Sequence, residues 1–224
     1  MRTRLSRERI AAAALELIEK DGLEAFSTRR LGEALGVEAM ALYHHFPNRA
    51  ALLDAVAERL VGAIELPPPS PDILVWLAET VRRYVAVART HPQSFPLLAT
   101  RRLNTEPALL FVERILAALG DAGASPALAA DIFRGIGAFA NGAALADLAI
   151  RTGPALADRG VDATRLPHVA RAARWLGAAQ ARRQFDANLA MLMAGVAQRL
   201  NARPASSGRR RIGAKKTKRV TRED

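Results

Sequence analysis

The sequence predicts an all-α protein in two helical parts, and three observations carry that prediction. Apolar residues make up 50% of the 224-residue chain while aromatics are only 5%. Much of the apolar content is therefore alanine, a strong helix former that also lets helices approach closely. Apolar positions recur at three- and four-residue spacing, and no segment alternates with the period of a strand. Finally, the run LPPPSPD, residues 66–72, interrupts the helical pattern with three consecutive prolines, which hold an extended backbone and cannot continue a helix.

In chain order, Ser6 caps a first helix over about residues 7–20, with Ile10, Ala14, Leu17 and Ile18 on one face and Gly22 as its stop. Ser27 caps a short second helix whose Leu31, Ala34 and Leu35 face inward, and Gly36 ends it. A third helix occupies about 38–45. Asn48 caps a fourth, with Leu52, Leu53, Val56, Leu60 and Ile64 at helical spacing, running to about residue 65 before Pro67. Beyond the prolines, Ser70-Pro71 and Ser125-Pro126 each place a capping serine before a proline at the first helical position. They predict helices over about 71–90 and 126–150. Others are expected near 94–101, 106–120, 167–180 and 183–200.

Two short helices joined by the sequence LGV, with a longer helix before them to pack across both, form a helix-turn-helix, the arrangement that sets a helix into the major groove of DNA. Gly36 supplies the turn. Gly32, inside the second helix, costs about 1 kcal/mol against alanine unless the next helix needs the space of its missing side chain. Leu31, Leu35, Val37, Leu42 and Phe46 make a small core, which leaves Glu38, Met40, Ala41, Tyr43 and His44 outward.

The stretch FSTRRLGEALGVEAMALYHHFPNRAALLDAV resembles the DNA-binding domain of the TetR (tetracycline repressor) family of bacterial transcriptional regulators. The turn LGV, the Leu42-Tyr43 pair followed by histidine and an aromatic, and the Asn48-Arg49 start of the next helix all occur in register. The resemblance is sharp over residues 7–60. Over 71–200 it is the family's general helical pattern, and the last residues lie outside it. It implies a three-helix helix-turn-helix DNA-binding domain with its connecting helix in residues 1–66, and an effector-binding and dimerisation domain in 71–200. The implied function is that of a ligand-responsive regulator, a repressor that binds a palindromic operator in double-stranded DNA as a homodimer and is released by a small-molecule effector.

Residue by residue, the resemblance assigns phosphate or base contacts to Thr28, Arg29, Met40, Ala41, Tyr43, His44, His45 and Arg49. The chemistry agrees. Arg29 can bond guanine O6 and N7 together, Met40 and Ala41 can meet a thymine methyl, and Tyr43 and Arg49 suit phosphate oxygens. Met40 and Ala41 stand where relatives often present proline, serine or threonine, so fewer hydrogen bonds are available to read bases. For the effector, the candidate lining residues are Trp76, Tyr84, Phe111, Phe133, Asn141 and Trp175. The aromatics are more readily read as core than as a ligand box. Asn141 reads equally as an amide bonded within the fold and as a polar anchor in a pocket. For the homodimer, Gly135, Ala138, Gly142 and Ala146 carry small side chains at helical spacing, and Leu189, Leu192, Met193, Val196 and Leu200 form an apolar stripe. By resemblance these are the family's paired bundle helices.

Other classes find little support. The absence of cysteine excludes disulfides and thiolate chemistry. His44 and His45 point about 100° apart on a helix, which does not make a metal pair, and neither metal nor cofactor is expected. No phosphate loop, dinucleotide fingerprint or nucleophile elbow occurs, so the chain does not read as an enzyme. The N-terminus lacks a signal-type apolar run, and no stretch approaches the roughly 20 apolar residues of a membrane span. A soluble, cytoplasmic protein is expected. Net charge is +11, of which the last 24 residues contribute +7 from nine basic and two acidic side chains. That basic tail, 201–224, lacks apolar periodicity and is expected to be disordered. It supports the rival reading, a nonspecific nucleic-acid-binding protein that uses the helix-turn-helix and the tail.

Overall fold

The computed structural model of the chain describes residues 4–101, 105–152 and 161–202, and every regular element among them is helical. Residues 203–224, nearly all of the basic tail, lie outside the described residues, as does the expectation of its disorder.

Local chemistry sets the first four helices. Helix α1 (Arg7–Asp21) begins where the Ser6 side chain accepts from the Arg9 amide, and it ends at Gly22, whose φ of 83° few other residues adopt. Helix α2 (Thr28–Leu35) is capped by Ser27, which accepts from the Arg30 amide. It closes at left-handed Gly36, where the Val37 and Gly36 amides turn back to the carbonyls of Gly32 and Glu33. Helix α3 (Ala39–Tyr43) follows at once. It is shorter than the spacing predicts: His44 and His45 form the turn after it, because Pro47 two residues on prevents continuation. Asn48 then caps α4 (Arg49–Gly62) by accepting from the Ala51 amide. This helix stops before the predicted residue 65, and Ile64 is buried from a turn instead.

Gly32 has the role its position predicts. A Cβ there would lie 2.7 Å from the Val37 carbonyl oxygen and 3.2 Å from the Ala39 amide nitrogen, so only glycine lets the backbone of the following helix approach. Ala34, expected inward, is exposed, while Leu35 is only half-buried. Leu31, Leu42 and Phe46 are fully buried and fill the space beneath both short helices.

The second part is a helical bundle. Helix α5 (Ile73–Thr90) packs against α8 (Pro126–Thr152) and α10 (Ala181–Asn201), while α7 (Glu106–Asp121) packs on α8 and α4. The short α6 (Phe95–Thr100) lies against α4. Asp72 rather than Ser70 caps α5, accepting from the Leu74 and Val75 amides, and Ser70 instead accepts from the Asp72 amide. Ser125 does cap α8, accepting from the Leu128 amide. Helix α9 (Pro167–Leu176) ends short of the predicted 180, with a separate 3-10 turn at Ala178–Gln180.

Two hydrophobic cores result, and their division does not follow the prolines. The first contains Ile10, Ile18, Leu31, Leu42, Phe46, Leu52, Leu53 and Val56. The second, built on α5, α7, α8 and α10, already includes Leu60, Val61 and Ile64 of the α4 end. The chain between them is fastened down: Arg83 donates to the carbonyls of Glu65 and Leu66 at 3.0 and 3.4 Å, and Trp76 Nε1 donates to the Pro67 carbonyl at 3.1 Å.

On the outside of the bundle, Gly135, Ala138, Gly142 and Ala146 of α8 are all exposed, beside half-exposed Leu145. The α10 stripe divides. Leu189, Met193 and Val196 are consumed by the chain's own core, Leu192 and Leu200 are half-buried, and Met191 projects outward, 66% exposed.

Replacing Gly32 with alanine gains about 1 kcal/mol of helix propensity but drives a methyl into backbone atoms that cannot swing aside. We expect Gly32→Ala to destabilise the protein by roughly 1 to 3 kcal/mol, measured as a lower urea midpoint. A midpoint at or above that of the parent chain would contradict the close approach.

Candidate nucleic-acid interface and interior cavity

The sequence-predicted contact residues lie on α2, α3, the turn after α3 and the start of α4. Met40, Tyr43 and His44 are exposed, Met40 by 69%, and Ala41 and His45 are half-buried. Leu42, between them, anchors the helix from below. Thr28, at the start of α2, is half-buried, and its Oγ1 lies 3.4 Å from the Tyr43 hydroxyl, which joins the two helices across the outer surface. Arg29 extends into solvent and pairs with Glu33 one turn on, at 3.5 Å. Arg49 is exposed at the start of α4. Its guanidinium lies 5.5 Å from the Phe26 ring centroid and donates to the Phe26 carbonyl at 3.5 Å. Of the eight, the structure joins Thr28 to Tyr43 directly and leaves Arg29, Met40, Tyr43, His44 and Arg49 exposed, groups whose chemistry suits phosphates and base edges.

A second feature is a cavity of about 1020 Å³ that opens to the bundle surface, walled by α5, α6, α7 and α8 with the exposed Leu109, Arg134, Gly135 and Ala138 among its lining. Four of the six predicted lining residues, Tyr84, Phe111, Phe133 and Asn141, meet there. Tyr84 and Asn141 face each other, with the phenol donating to the amide Oδ1. Asn141 is thus an amide bonded within the fold, at the wall of a cavity. The Tyr84 ring also meets Phe95 edge-on, with centroids 5.7 Å apart. Burial pushes the Tyr84 phenol above the ordinary tyrosine range.

The two tryptophans lie elsewhere. Trp76 is buried in the second core and borders a separate cleft of about 560 Å³ beneath Pro67, Pro69 and Pro71, because its ring is drawn to the proline segment by the indole bond to Pro67. Trp175, on α9, is 45% exposed, with Arg174 and Arg183 guanidinium groups 4.8 and 5.1 Å from its ring centroid. Helix α9 buries none of its side chains in this chain, and Trp175 does not line the cavity.

The spacing predicts a helix near 94–101, but sequence reasoning missed what α6 does. Its Leu98 and Ala99, together with Arg101 just after it, line the large cavity. Leu97 is buried in the first core and Leu98 in the second. Arg101 forms an ion pair with Asp54 of α4 and donates to the Ala50 carbonyl at 3.3 Å. At the other end, the Glu19 carboxylate of α1 accepts from the amides of Gln93 and Ser94 at 3.3 and 3.0 Å and from the buried Ser94 hydroxyl. Six residues of ordinary apolar sequence thus touch the cavity, the recognition unit and the helix between them. The one legible signal was the proline at the second position of a short apolar helix.

Comparison with known proteins agrees with this architecture. Residues 10–56 match the model described as bacterial regulatory proteins, tetR family, and residues 71–200 match the tetracyclin repressor-like C-terminal domain. An HTH-type transcriptional regulator of Saccharopolyspora erythraea is 34% identical over 124 residues, covering 53% of this chain and 51% of the relative. The class C tetracycline repressor protein of Escherichia coli is 52% identical over 58 residues, 26% of each chain. The matches thus span about half or less of these curated relatives. Among solved structures, the Streptomyces coelicolor TetR family protein ActR in complex with (S)-DNPA superposes with a TM-score of 0.78 at 25% identity, covering 88% of this chain and all of that one.

The half-buried phenol gives the cavity a pH signature. The unfolded chain releases the tyrosine proton near pH 10, whereas the folded cavity retains it to higher pH. The stability this contributes is complete below about pH 10 and declines as pH rises toward the folded-state value. We expect the unfolding free energy to fall across the alkaline range, and Tyr84→Phe to show a smaller fall. Identical alkaline slopes for the two proteins would refute the retained proton.

Proposed function

The chain belongs to the tetR family of bacterial regulatory proteins, and from that premise we propose that it is a ligand-responsive transcriptional repressor rather than an enzyme. It binds a palindromic operator in double-stranded DNA as a homodimer, and a small, mostly apolar effector releases it. Residues 1–66 are the DNA-binding domain with its connecting helix, and 71–200 the effector-binding and dimerisation domain. The site of action is the cytoplasm, where the DNA is; no helix among the described residues is long and apolar enough to cross a membrane.

The observation that carries this reading is the position of α6 between a cavity and α4. An occupant of the cavity meets Leu98, Ala99 and Arg101, and Arg101 is bonded to Asp54 and Ala50. Displacement of α6 is therefore felt by α4, whose start at Arg49 adjoins the recognition face. A ligand that prefers the non-binding arrangement by about 1 to 3 kcal/mol weakens the operator complex about 5- to 150-fold, and DNA weakens the ligand by the same factor. Helix α4 is 14 residues long, a rod of about 21 Å that transmits tilt. Tyr84 and Asn141 are the polar groups we assign to the effector, with Phe111 and Phe133 as apolar walls.

The DNA contacts are assigned to Thr28, Arg29, Met40, Ala41, Tyr43, His44, His45 and Arg49 on the exposed face of α2, α3 and the start of α4. For dimerisation, the exposed small residues of α8 and the outward Met191 of α10 leave room for the same two helices of a second copy. A two-fold pairing there sets two recognition helices about 34 to 36 Å apart, one turn of DNA.

Selection of bound fragments from genomic DNA tests the reading directly, and an inverted repeat is the expected product. Arg29→Ala and Tyr43→Ala should each keep normal helicity while weakening that operator by about 1 to 3 kcal/mol. Unchanged affinity in both would remove them from the contact set, and recovery of fragments with no common sequence would favour nonspecific binding. Asp54→Asn should bind the operator but show a reduced response to an effector found by thermal-shift screening; a full response would break the proposed route through α6.

A further inference from the structure

The cleft beneath the prolines, about 560 Å³, shares no lining residue with the large cavity and falls within the size range of small-molecule sites. One wall is the proline segment with Trp76, and the other is the C-terminal half of α7. Between them, hydrogen-bonding groups are scarce. Proline has no amide hydrogen, so Pro67, Pro69 and Pro71 offer no donor, and the Pro67 carbonyl already accepts from the Trp76 indole. Ala117 and Ala118 line the α7 side. A polar group placed between these walls would lose water without gaining a partner, so this part of the cleft takes an apolar body.

The charged groups lie two turns apart. Arg114 and Asp121 both line the cleft from α7, and seven steps of 1.5 Å separate them by about 10 Å along the helix axis. Both are exposed, and neither has a hydrogen-bond or ion-pair partner among the described residues. Asp121 also stands against the helix field. It is the last residue of α7, with no basic residue in that turn, at the end where a helix presents partial negative charge and favours cations. The carboxylate and the closing carbonyls together call for a positive group, while Arg114 calls for an anion. An anionic guest is repelled at one end of this pair and a cationic guest at the other.

We propose that the cleft is a second small-molecule site, distinct from the effector cavity, that takes an elongated ω-amino acid. Its carboxylate meets Arg114, its ammonium meets Asp121 and the end of α7, and its methylene chain lies between the alanines and the proline wall. A chain of seven methylenes spans about the distance between the two charges. Trp76 links the site to the rest of the fold, since its ring borders the cleft while its indole holds Pro67. Occupancy is therefore felt at the connection that follows α4.

Trp76 and Trp175 are the two tryptophans of the chain, so the full-length Trp175→Phe protein reports on the cleft through Trp76 fluorescence alone. Titration with 8-aminooctanoate should give a saturable change in that emission. Octanoate and octylamine each lack one end group and should bind about 5-fold more weakly, the loss of one exposed ion pair. Arg114→Gln and Asp121→Asn, both at exposed positions, should keep normal helicity and each weaken 8-aminooctanoate by a similar factor, while Asp121→Asn should not weaken octanoate. The absence of a saturable change would overturn the site. Unchanged affinity in both charge variants would place the probe elsewhere and overturn it equally. Octanoate that bound as tightly as 8-aminooctanoate would overturn recognition by two opposite charges.

Discussion

Leu97 and Leu98 are neighbours in the chain, yet they are buried in different hydrophobic cores, and the rest of the structure depends on that division. Burying a leucine contributes about 1.5 to 3 kcal/mol, so each side chain holds α6 to its own part of the protein. The Arg101–Asp54 ion pair beside them is part-exposed, with the Asp54 side chain 47% accessible, and a pair of that kind contributes at most about 1 kcal/mol. Packing therefore joins the two halves, and the ion pair gives the junction its direction by choosing which turn of α4 the end of α6 meets.

Helix α4 obeys the same constraint from the other side. Its Leu52, Leu53 and Val56 belong to the first core, and its Leu60 and Val61 to the second. The boundary between cores therefore falls inside a continuous helix. The prolines that follow mark where the chain turns and leave the packing of the two parts to α4 and α6. The bonds from Arg83 and Trp76 to the carbonyls of residues 65–67 satisfy backbone groups that the prolines leave without helical partners.

Much of this was legible because it was local. Ser6, Ser27, Asn48 and Ser125 each cap the helix they announce, since a side-chain oxygen beside free amides acts within three residues. Gly32 and Gly36 were readable because one needs space and the other a left-handed backbone. The face of Met40, Tyr43 and His44 followed from the positions of Leu42 and Phe46. What could not be read depended on distant partners. Ala34 is too small to declare a side, and it is exposed. Trp76 and Trp175 have the same chemistry, but one is drawn to a proline carbonyl and the other lies between two arginines, choices made by tertiary placement. The junction at α6 was hidden because adjacent leucines read as a single apolar patch, and nothing local says that they will diverge.

The Tyr84–Asn141 pair sets a selection rule for anything that enters the cavity. Because the phenol and the amide oxygen already satisfy each other, a hydrocarbon guest can occupy the remaining volume without stranding a polar group. Pockets discriminate weakly among such guests, about 10- to 200-fold per methylene. A guest with a hydroxyl can exchange the single internal bond for two of its own, donating to Oδ1 while accepting from the phenol. A guest that separates the pair without replacing the bond leaves a donor and an acceptor unpaired in an apolar wall, at a cost of about 1 to 3 kcal/mol each. The cavity is therefore permissive toward shape and strict toward misplaced polarity.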